Sequence, residues 1–416
     1  MDKYVNALVR HAKDSSYELV NIDTAAKNRC LERMADALIE HKDYILAQNA
    51  KDVQRASRKK TQTSFIDRLT LSEKRLKEMS QGLKEIARLA DPIGTLIAEY
   101  SRPNGLLIKK VRAPIGVILV IYEARPNVTS DCIGLLFKSS NVAILRGGSD
   151  AINSNLAIAK VMEKAIHASG ISLKPFFAVE KTGYVITDML LKRNESIDLV
   201  IPRGGEELIR KVVENSRIPV IKHYKGVCHI FVDGDVDVEK ALRICVNAKV
   251  QRPSVCNAVE KILVHKDIAA TFLPLLKKEF DAHEVEIRSD SAAGKILKNT
   301  KKATKKDWYE EYLDLIVTVG VTNDVDDAIH HINYYGSHHT DSILTNNKQN
   351  AEKFTREVDS ACCFVNISTR FSDGFQFGLG AEIGISTDKI HARGPMGLEE
   401  LTTYKWVVEG DGQIRE

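Results

Sequence analysis

One of the seven cysteines in this chain is set apart by its neighbours. Cys256 lies in the segment KVQRPSVCNAVEK, past a helical stretch and behind a proline turn, with Lys249 and Arg252 close in sequence and a strand following. Cationic neighbours and a turn favour the thiolate, the nucleophilic form of the side chain. The other candidates sit where cysteine acts as a small hydrophobe: Cys245 on an apolar helix, Cys362 and Cys363 within a strand, Cys132 ahead of an apolar helix. An odd cysteine count without paired metal-type spacing indicates free thiols in a reducing compartment rather than a disulfide framework.

A second kind of chemistry is suggested by two strands that end alike, ILRGGSDA at 144–151 and VIPRGGEEL at 200–208. Strand, Arg-Gly-Gly turn and helix N-terminus together present unpaired N–H groups and the positive end of the helix dipole to an anion. Each turn alone also reads as an ordinary tight turn; two on parallel strands point to a nucleotide across the strand ends. The dinucleotide fingerprint G-x-G-x-x-G is absent. Arg125, Arg370 and Arg393 stand in loop contexts where a guanidinium could grip a carboxylate or phosphate, or could simply face solvent. The pairs His330-His331 and His338-His339 have no third ligand at a metal-binding spacing, so no metal is expected and they read as surface histidines.

These residues need a frame, and the periodicity supplies one. Residues 1–90 read as helical, with amphipathic stretches over Ala25–Asn49 and Ser72–Ala90, and Asp91-Pro92 ends the run. Residues 96–113 form a hairpin arm around Pro103-Asn104-Gly105, outside the main domain. From Pro114, strands at 115–122, 141–148, 175–179 and 197–205 alternate with helical patterns, and strands near 219–222 and 228–232 close that set. A second series follows, with strands at 258–265, 313–319, 341–345 and 362–367. Alternation of this kind predicts two α/β domains with parallel sheets. The glycine-rich segment 374–384 lacks regular periodicity, and the C-terminal residues read as one more strand.

At 416 residues, 44% hydrophobic and 28% charged, the chain has the composition of a folded protein of two or three domains. A net charge of +4 is too small and dispersed for a nucleic-acid footprint. The longest apolar stretch, Ile115–Tyr122, is far short of the roughly 20 residues a membrane span needs, and the N-terminus has no signal-peptide core. The expectation is a cytoplasmic protein with neither nucleic-acid nor membrane partners.

The blocks APIGVILVIYEARPNVT, AILRGGSDAINSN, IPRGG, QRPSVCNA, YGSHHTDSILT and FGLGAEIGISTDKIHARGPMGLEELTTYKW resemble the gamma-glutamyl phosphate reductase family of the aldehyde dehydrogenase superfamily, from about residue 5 to the C-terminus. The resemblance implies an aldehyde dehydrogenase-like α/β fold of two Rossmann-like domains plus a small β oligomerisation arm. On that pattern the cofactor-binding domain spans 1–95 and 114–232, the catalytic domain 233–375, the arm 96–113 and 402–416, and a glycine-rich return segment 376–401. The implied activity is NADPH-dependent reduction of L-glutamyl 5-phosphate to L-glutamate 5-semialdehyde through a cysteine thioester, in proline biosynthesis. Implied partners are a second copy of the chain and the glutamate kinase that makes the substrate.

By the same resemblance the nucleophile is Cys256. Arg146 takes the place of a lysine that holds the adenosine ribose or its phosphate, with Gly147 beside it. Gly204 and Gly205 match the helix N-terminus at the cofactor diphosphate, and Glu311 a glutamate that binds the nicotinamide ribose. The oxyanion donor falls on Arg125 or on Asn127, with the Cys256 backbone N–H as a second donor. Arg125, Arg252 and Arg393 are the arginines assigned to the substrate's anionic groups. Where hydrolytic relatives carry a water-activating glutamate, this chain has Lys222-His223-Tyr224 and no carboxylate, which fits the reductase direction. Two other readings stay open on the sequence: an NAD(P)-dependent dehydrogenase for another small aldehyde, and a non-catalytic nucleotide-binding member of the superfamily.

Overall fold

The N-terminal helices form where apolar residues recur every three or four positions. After α1 (Asp2–Leu19), α2 (Thr24–Glu40) buries Cys30, Leu31, Met34, Ala35 and Leu38, and Asp23 caps it by accepting the Ala26 N–H at 2.7 Å. The amphipathic stretch expected over 25–49 is interrupted at His41, whose backbone leaves helical angles, so α3 (Lys42–Arg58) starts afresh. The short α4 (Thr63–Leu69) and the amphipathic α5 (Glu73–Arg88) complete this layer. A computed structural model describes residues 1–59, 63–222 and 224–415. The chain divides into two units: Met1–Lys222 with Gly378–Gly384 and Met396–Glu416, and His223–Phe377 with Ile385–Pro395.

The hairpin β1 (Leu96–Ser101) and β2 (Leu107–Pro114) leads into the first unit's sheet. There β3 (Val117–Tyr122) is followed by α6 (Asn127–Lys138), β4 (Val142–Gly147), α7 (Ile152–Ala168), β5 (Phe176–Ala178), α8 (Tyr184–Leu190), β6 (Leu199–Arg203) and α9 (Glu206–Asn215). All of β3 is buried, the pattern of a parallel strand covered on both faces. The parallel order is β5-β4-β3-β6. The chain steps outward from β3 to β5 and then returns to the other side of β3, which puts a topological switch point between β3 and β6.

The second unit runs β7 (Cys228–Val232), α10 (Val238–Val250), β8 (Val259–His265), α11 (Lys266–Ala282), β9 (Glu286–Ser289), α12 (Ser291–Ile296), β10 (Lys301–Lys302), β11 (Ile316–Thr322), α13 (Val325–Tyr335), β12 (Thr340–Leu344), α14 (Lys348–Glu357) and β13 (Cys362–Val365). Its parallel sheet has the order β10-β9-β11-β8-β7-β12-β13. Alternate residues serve opposite faces: Ile230, Ile262 and Val264 pack on α10 and α11, while Phe231, Leu263 and Ile343 pack on α13 and α14.

Two boundaries differ from the sequence reading. β7, expected to close the first set, pairs with β8 and β12 inside the second sheet, so the first unit ends at Lys222 rather than near 232. The strand expected near 219–222 is a single bridge between Val200 and Val220. The glycine-rich return segment divides: 378–384 joins the first unit, and 385–395, carrying the pair β14 (Ile385–Ser386) and β15 (Gly394–Pro395), joins the second. Gly384 has φ +150, and a Cβ there would lie 2.4 Å from Arg203 Nη1, so only glycine fits. Finally β16 (Thr402–Glu409) pairs antiparallel with β2, giving a three-stranded sheet β1-β2-β16. No helix among the described residues is long and apolar enough to cross a membrane.

Candidate active site

In the second unit, residues 251–258 form the turn between α10 and β8, at the amino edge of the sheet. Five of the seven cysteines are buried, and Cys363 is held to the Val358 carbonyl at 3.4 Å with its thiol pushed up to about 11 by burial. Cys256 is half-buried on the turn, the accessible position a nucleophile needs. Its backbone rests on the start of β7. A Cβ on Gly226 would come within 1.9 Å of the Cys256 carbonyl oxygen, and the buried Cys228 thiol donates to that same oxygen at 3.2 Å. His339 Nδ1 lies 3.7 Å from the Cys228 sulfur and 2.9 Å from Thr340 Oγ1. Burial pushes the Cys228 thiol well up, so it stays protonated beside the turn.

The cations differ from those the spacing suggests. Lys249 turns to Glu260 at 3.1 Å with both side chains fully buried, and Arg252 is exposed. Arg370 instead stands within electrostatic range of both Cys256 and Arg252, its Nε donating to Gln251 Oε1 at 2.8 Å, with burial drawing its pKa down. Glu311, in the half-buried segment before β11, acts electrostatically on Cys228. Arg393 gives its Nη2 to the Asp359 carboxylate at 2.8 Å and to the Asp359 carbonyl at 3.1 Å.

In the first unit, the carboxyl ends of β3 and β4 open onto a cavity of about 240 Å³ lined in part by Glu123, Arg146, Ser149, Asp150, Tyr184 and Leu208. Arg146 Nη1 donates to Gly147 O at 3.1 Å and Nη2 to Gly183 O at 3.4 Å; its buried Nε has no hydrogen-bond partner among the described residues. Both helix N-termini predicted as anion sites are already met by carboxylates of the chain. At α7, the buried Asp52 accepts the Ser154 N–H and Oγ–H at 2.8 and 2.7 Å, which makes that terminus structural. At α9, the exposed Glu123 accepts the Gly205 N–H at 3.0 Å, and a Cβ on Gly204 would meet the same carboxylate at 2.7 Å. An arginine lining a cavity at the carboxyl ends of parallel strands suits a phosphate-bearing ligand.

Arg125 and Asn127 follow Glu123 at the start of α6. Arg125 is exposed, its N–H donating to the Glu123 carbonyl at 2.7 Å. Asn127 Nδ2 donates to Asp131 Oδ2 at 3.1 Å, and burial pushes the Asp131 carboxyl up to about 6. The fold therefore gathers Cys256, Arg370 and Glu311 in one unit, and Arg146, Gly147, Gly204 and Gly205 in the other. Gly226, Cys228 and Glu123 have no part in the sequence reading, and His339 has a different one. His339, read as a surface histidine, is fully buried, with its Nδ1 beside the Cys228 sulfur. Only Glu123, an acid directly after a buried strand, offered a local signal.

Residues 2–313 match the model of the aldehyde dehydrogenase family. The chain is 53% identical over 412 residues to a gamma-glutamyl phosphate reductase from Caldanaerobacter subterraneus subsp. tengcongensis, covering 99% of this chain and 100% of that one. It is 52% identical over 409 residues to the protein of that name from Thermodesulfovibrio yellowstonii, covering 98% and 97%. The crystal structure of a gamma-glutamyl phosphate reductase from Thermotoga maritima matches with a TM-score of 0.97 at 44% identity, over 99% of this chain and 100% of that one.

Proposed function

The chain belongs to the aldehyde dehydrogenase family, in its gamma-glutamyl phosphate reductase branch, and from that membership we propose that it catalyses the NADPH-dependent reduction of L-glutamyl 5-phosphate to L-glutamate 5-semialdehyde, releasing phosphate, in proline biosynthesis. The observation that carries this reading is 53% identity, end to end, with a protein of that name. The half-buried Cys256 on its braced turn supports the chemistry.

The Cys256 sulfur attacks the acyl carbon of the substrate; the bond from that carbon to the phosphate oxygen breaks, phosphate leaves and a thioester remains. The Cys256 N–H, with Asn127 or Arg125, stabilises the carbonyl oxygen as it gains charge. NADPH, when bound, supplies the hydride that reduces the acyl carbon. The carbon–sulfur bond then breaks, the sulfur regains a proton and the aldehyde departs.

Arg146, Gly147, Gly204, Gly205 and Glu311 are the residues that hold the dinucleotide, with Arg146 lining the cavity at the carboxyl ends of β3 and β4. Arg125, Arg252 and Arg393 meet the substrate's carboxylate and phosphate, Arg393 by exchanging its bond to Asp359; Arg370 joins them through its proximity to Cys256. Lys222 and Tyr224 offer no carboxylate to activate water against the thioester, and His223 lies outside the described residues. The chain works in the cytoplasm as a homo-oligomer joined through the β1-β2-β16 arm, supplied by a glutamate kinase. The test is the reverse reaction: glutamate 5-semialdehyde reduces NADP when inorganic phosphate is present, read by NADPH absorbance. Oxidation that proceeds equally without phosphate overturns the proposal.

A further inference from the structure

The chemistry above leaves unused a buried charged cluster at the base of the nucleophile turn. Glu260 is the second residue of β8 and shares the strand face of Ile262 and Val264, which pack on α10. Lys249 lies in the last turn of α10. Their side chains meet at 3.1 Å with no exposed area, so one ion pair closes the loop that carries Cys256. The other carboxylate oxygen of Glu260 accepts the Leu313 N–H at 3.3 Å. Lys261, on the opposite strand face, donates Nζ to the Glu310 carbonyl at 2.7 Å and lies over the Tyr312 ring at 4.3 Å. The segment held between these contacts contains Glu311.

We propose that Glu260 is a positioning residue for the reaction: with Lys249 it fixes the base of the Cys256 turn, and with Lys261 it fixes the segment bearing Glu311. One strand thereby sets both the thiol and the carboxylate assigned to the nicotinamide ribose, an assignment that rests on the function proposed above. Taking two charges out of water costs as much as their attraction returns, so apolar residues of similar size would serve stability equally well or better. What they lack is direction. Two hydrogen-bonded oxygens on one carboxylate hold three chain segments at fixed separations, and a displacement of about 1 Å at reacting groups can cost about a hundredfold in rate.

Two variants separate positioning from stability. Glu260→Gln breaks the pair and leaves the Lys249 charge unmatched, whereas Lys249→Met with Glu260→Leu fills the same space without charge. The double variant is expected to melt at or above the wild-type temperature while kcat falls about tenfold or more, with the substrate KM changed far less. Glu260→Gln is expected to lose kcat to at least the same degree. A double variant that regains wild-type kcat together with its stability overturns the proposal, because the pair would then be packing alone. Alkylation of Cys256 by iodoacetamide, followed by mass spectrometry, reads the turn without any assigned activity. Its rate in the double variant should differ about threefold or more from wild type, and an unchanged rate overturns the proposal. Should wild-type enzyme show no phosphate-dependent activity, the proposed function fails while the alkylation result still decides the role of Glu260.

Discussion

The Glu123 carboxylate accepts the Gly205 N–H at 3.0 Å, so the amino end of α9 holds an anion belonging to the chain itself. Glu123 is exposed and this is a single bond, in contrast to the buried, multiply bonded Asp52 at α7. A dinucleotide diphosphate seeking those N–H groups has to displace Glu123. Glu123→Gln is therefore expected to tighten NADPH binding about two- to fivefold, from the roughly 0.3–1 kcal/mol that a charge at a helix terminus contributes. Fluorescence titration measures it; an unchanged constant places the diphosphate elsewhere.

Cys256→Ser should abolish turnover, because a hydroxyl is not ionised at neutral pH and is a poor nucleophile. The loss should far exceed tenfold, about 1.4 kcal/mol of barrier, with the circular dichroism spectrum and NADPH affinity unchanged. Residual activity within that tenfold range would assign the nucleophile to another residue.

Arg146→Ala removes the guanidinium from the cavity lining and should weaken NADPH binding about tenfold or more, the scale of a charged hydrogen bond, while the substrate KM moves less. Unchanged NADPH affinity by titration would move the cofactor site.

Alternating strands and helices were legible because each period is written into local residue types, and the continuous apolar run of β3 could be read directly as a covered strand. Strand order was not. β7 is as apolar as a strand of either sheet, and only long-range pairing with β8 and β12 decides its place. Cys256 stands out by its flanks, yet Lys249, seven residues before it, pairs with Glu260 instead. Arg370, more than a hundred residues further along, comes within electrostatic range of Cys256, a relation that periodicity cannot carry. Charges close in sequence need not be close in space.

Asp131 makes stability at neutral pH depend on its carboxyl. Its value in the fold, about 6, lies above the ordinary 3.8, so the folded state keeps a proton that the unfolded chain has released. Stability therefore falls as pH rises from about 4 to about 6 and then levels off. Asp131→Asn should stabilise the protein near pH 8 by up to about 3 kcal/mol, less whatever partial exposure screens, and the gain should vanish below about pH 4. Urea unfolding midpoints across that range test the sign; a gain largest in acid would refute it.

The arm sheet leaves Tyr100, Tyr404, Trp406 and Val408 about half exposed, with Lys110 over the Tyr404 ring at 3.7 Å. A three-stranded sheet needs a covered face, and a second copy of the chain offers the simplest cover. Light scattering at micromolar concentration should give at least a dimer, and deletion of residues 99–110 should give monomers or aggregates. A wild-type mass near the chain's own 46.4 kDa would refute this.

Because β16 pairs with β2, joining Lys109 to Glu409 across 300 residues, the arm cannot be completed until the ribosome has passed residue 409. During synthesis the edge of β2 waits unpaired while the entire second unit emerges, a long-range closure that is slow and exposed to mispairing. Shortened messages or early proteolysis at the C-terminus would then leave a first unit that is nearly complete in sequence yet carries an open strand edge. Chaperone demand for this chain should fall on the open edge of β2 rather than on its catalytic core.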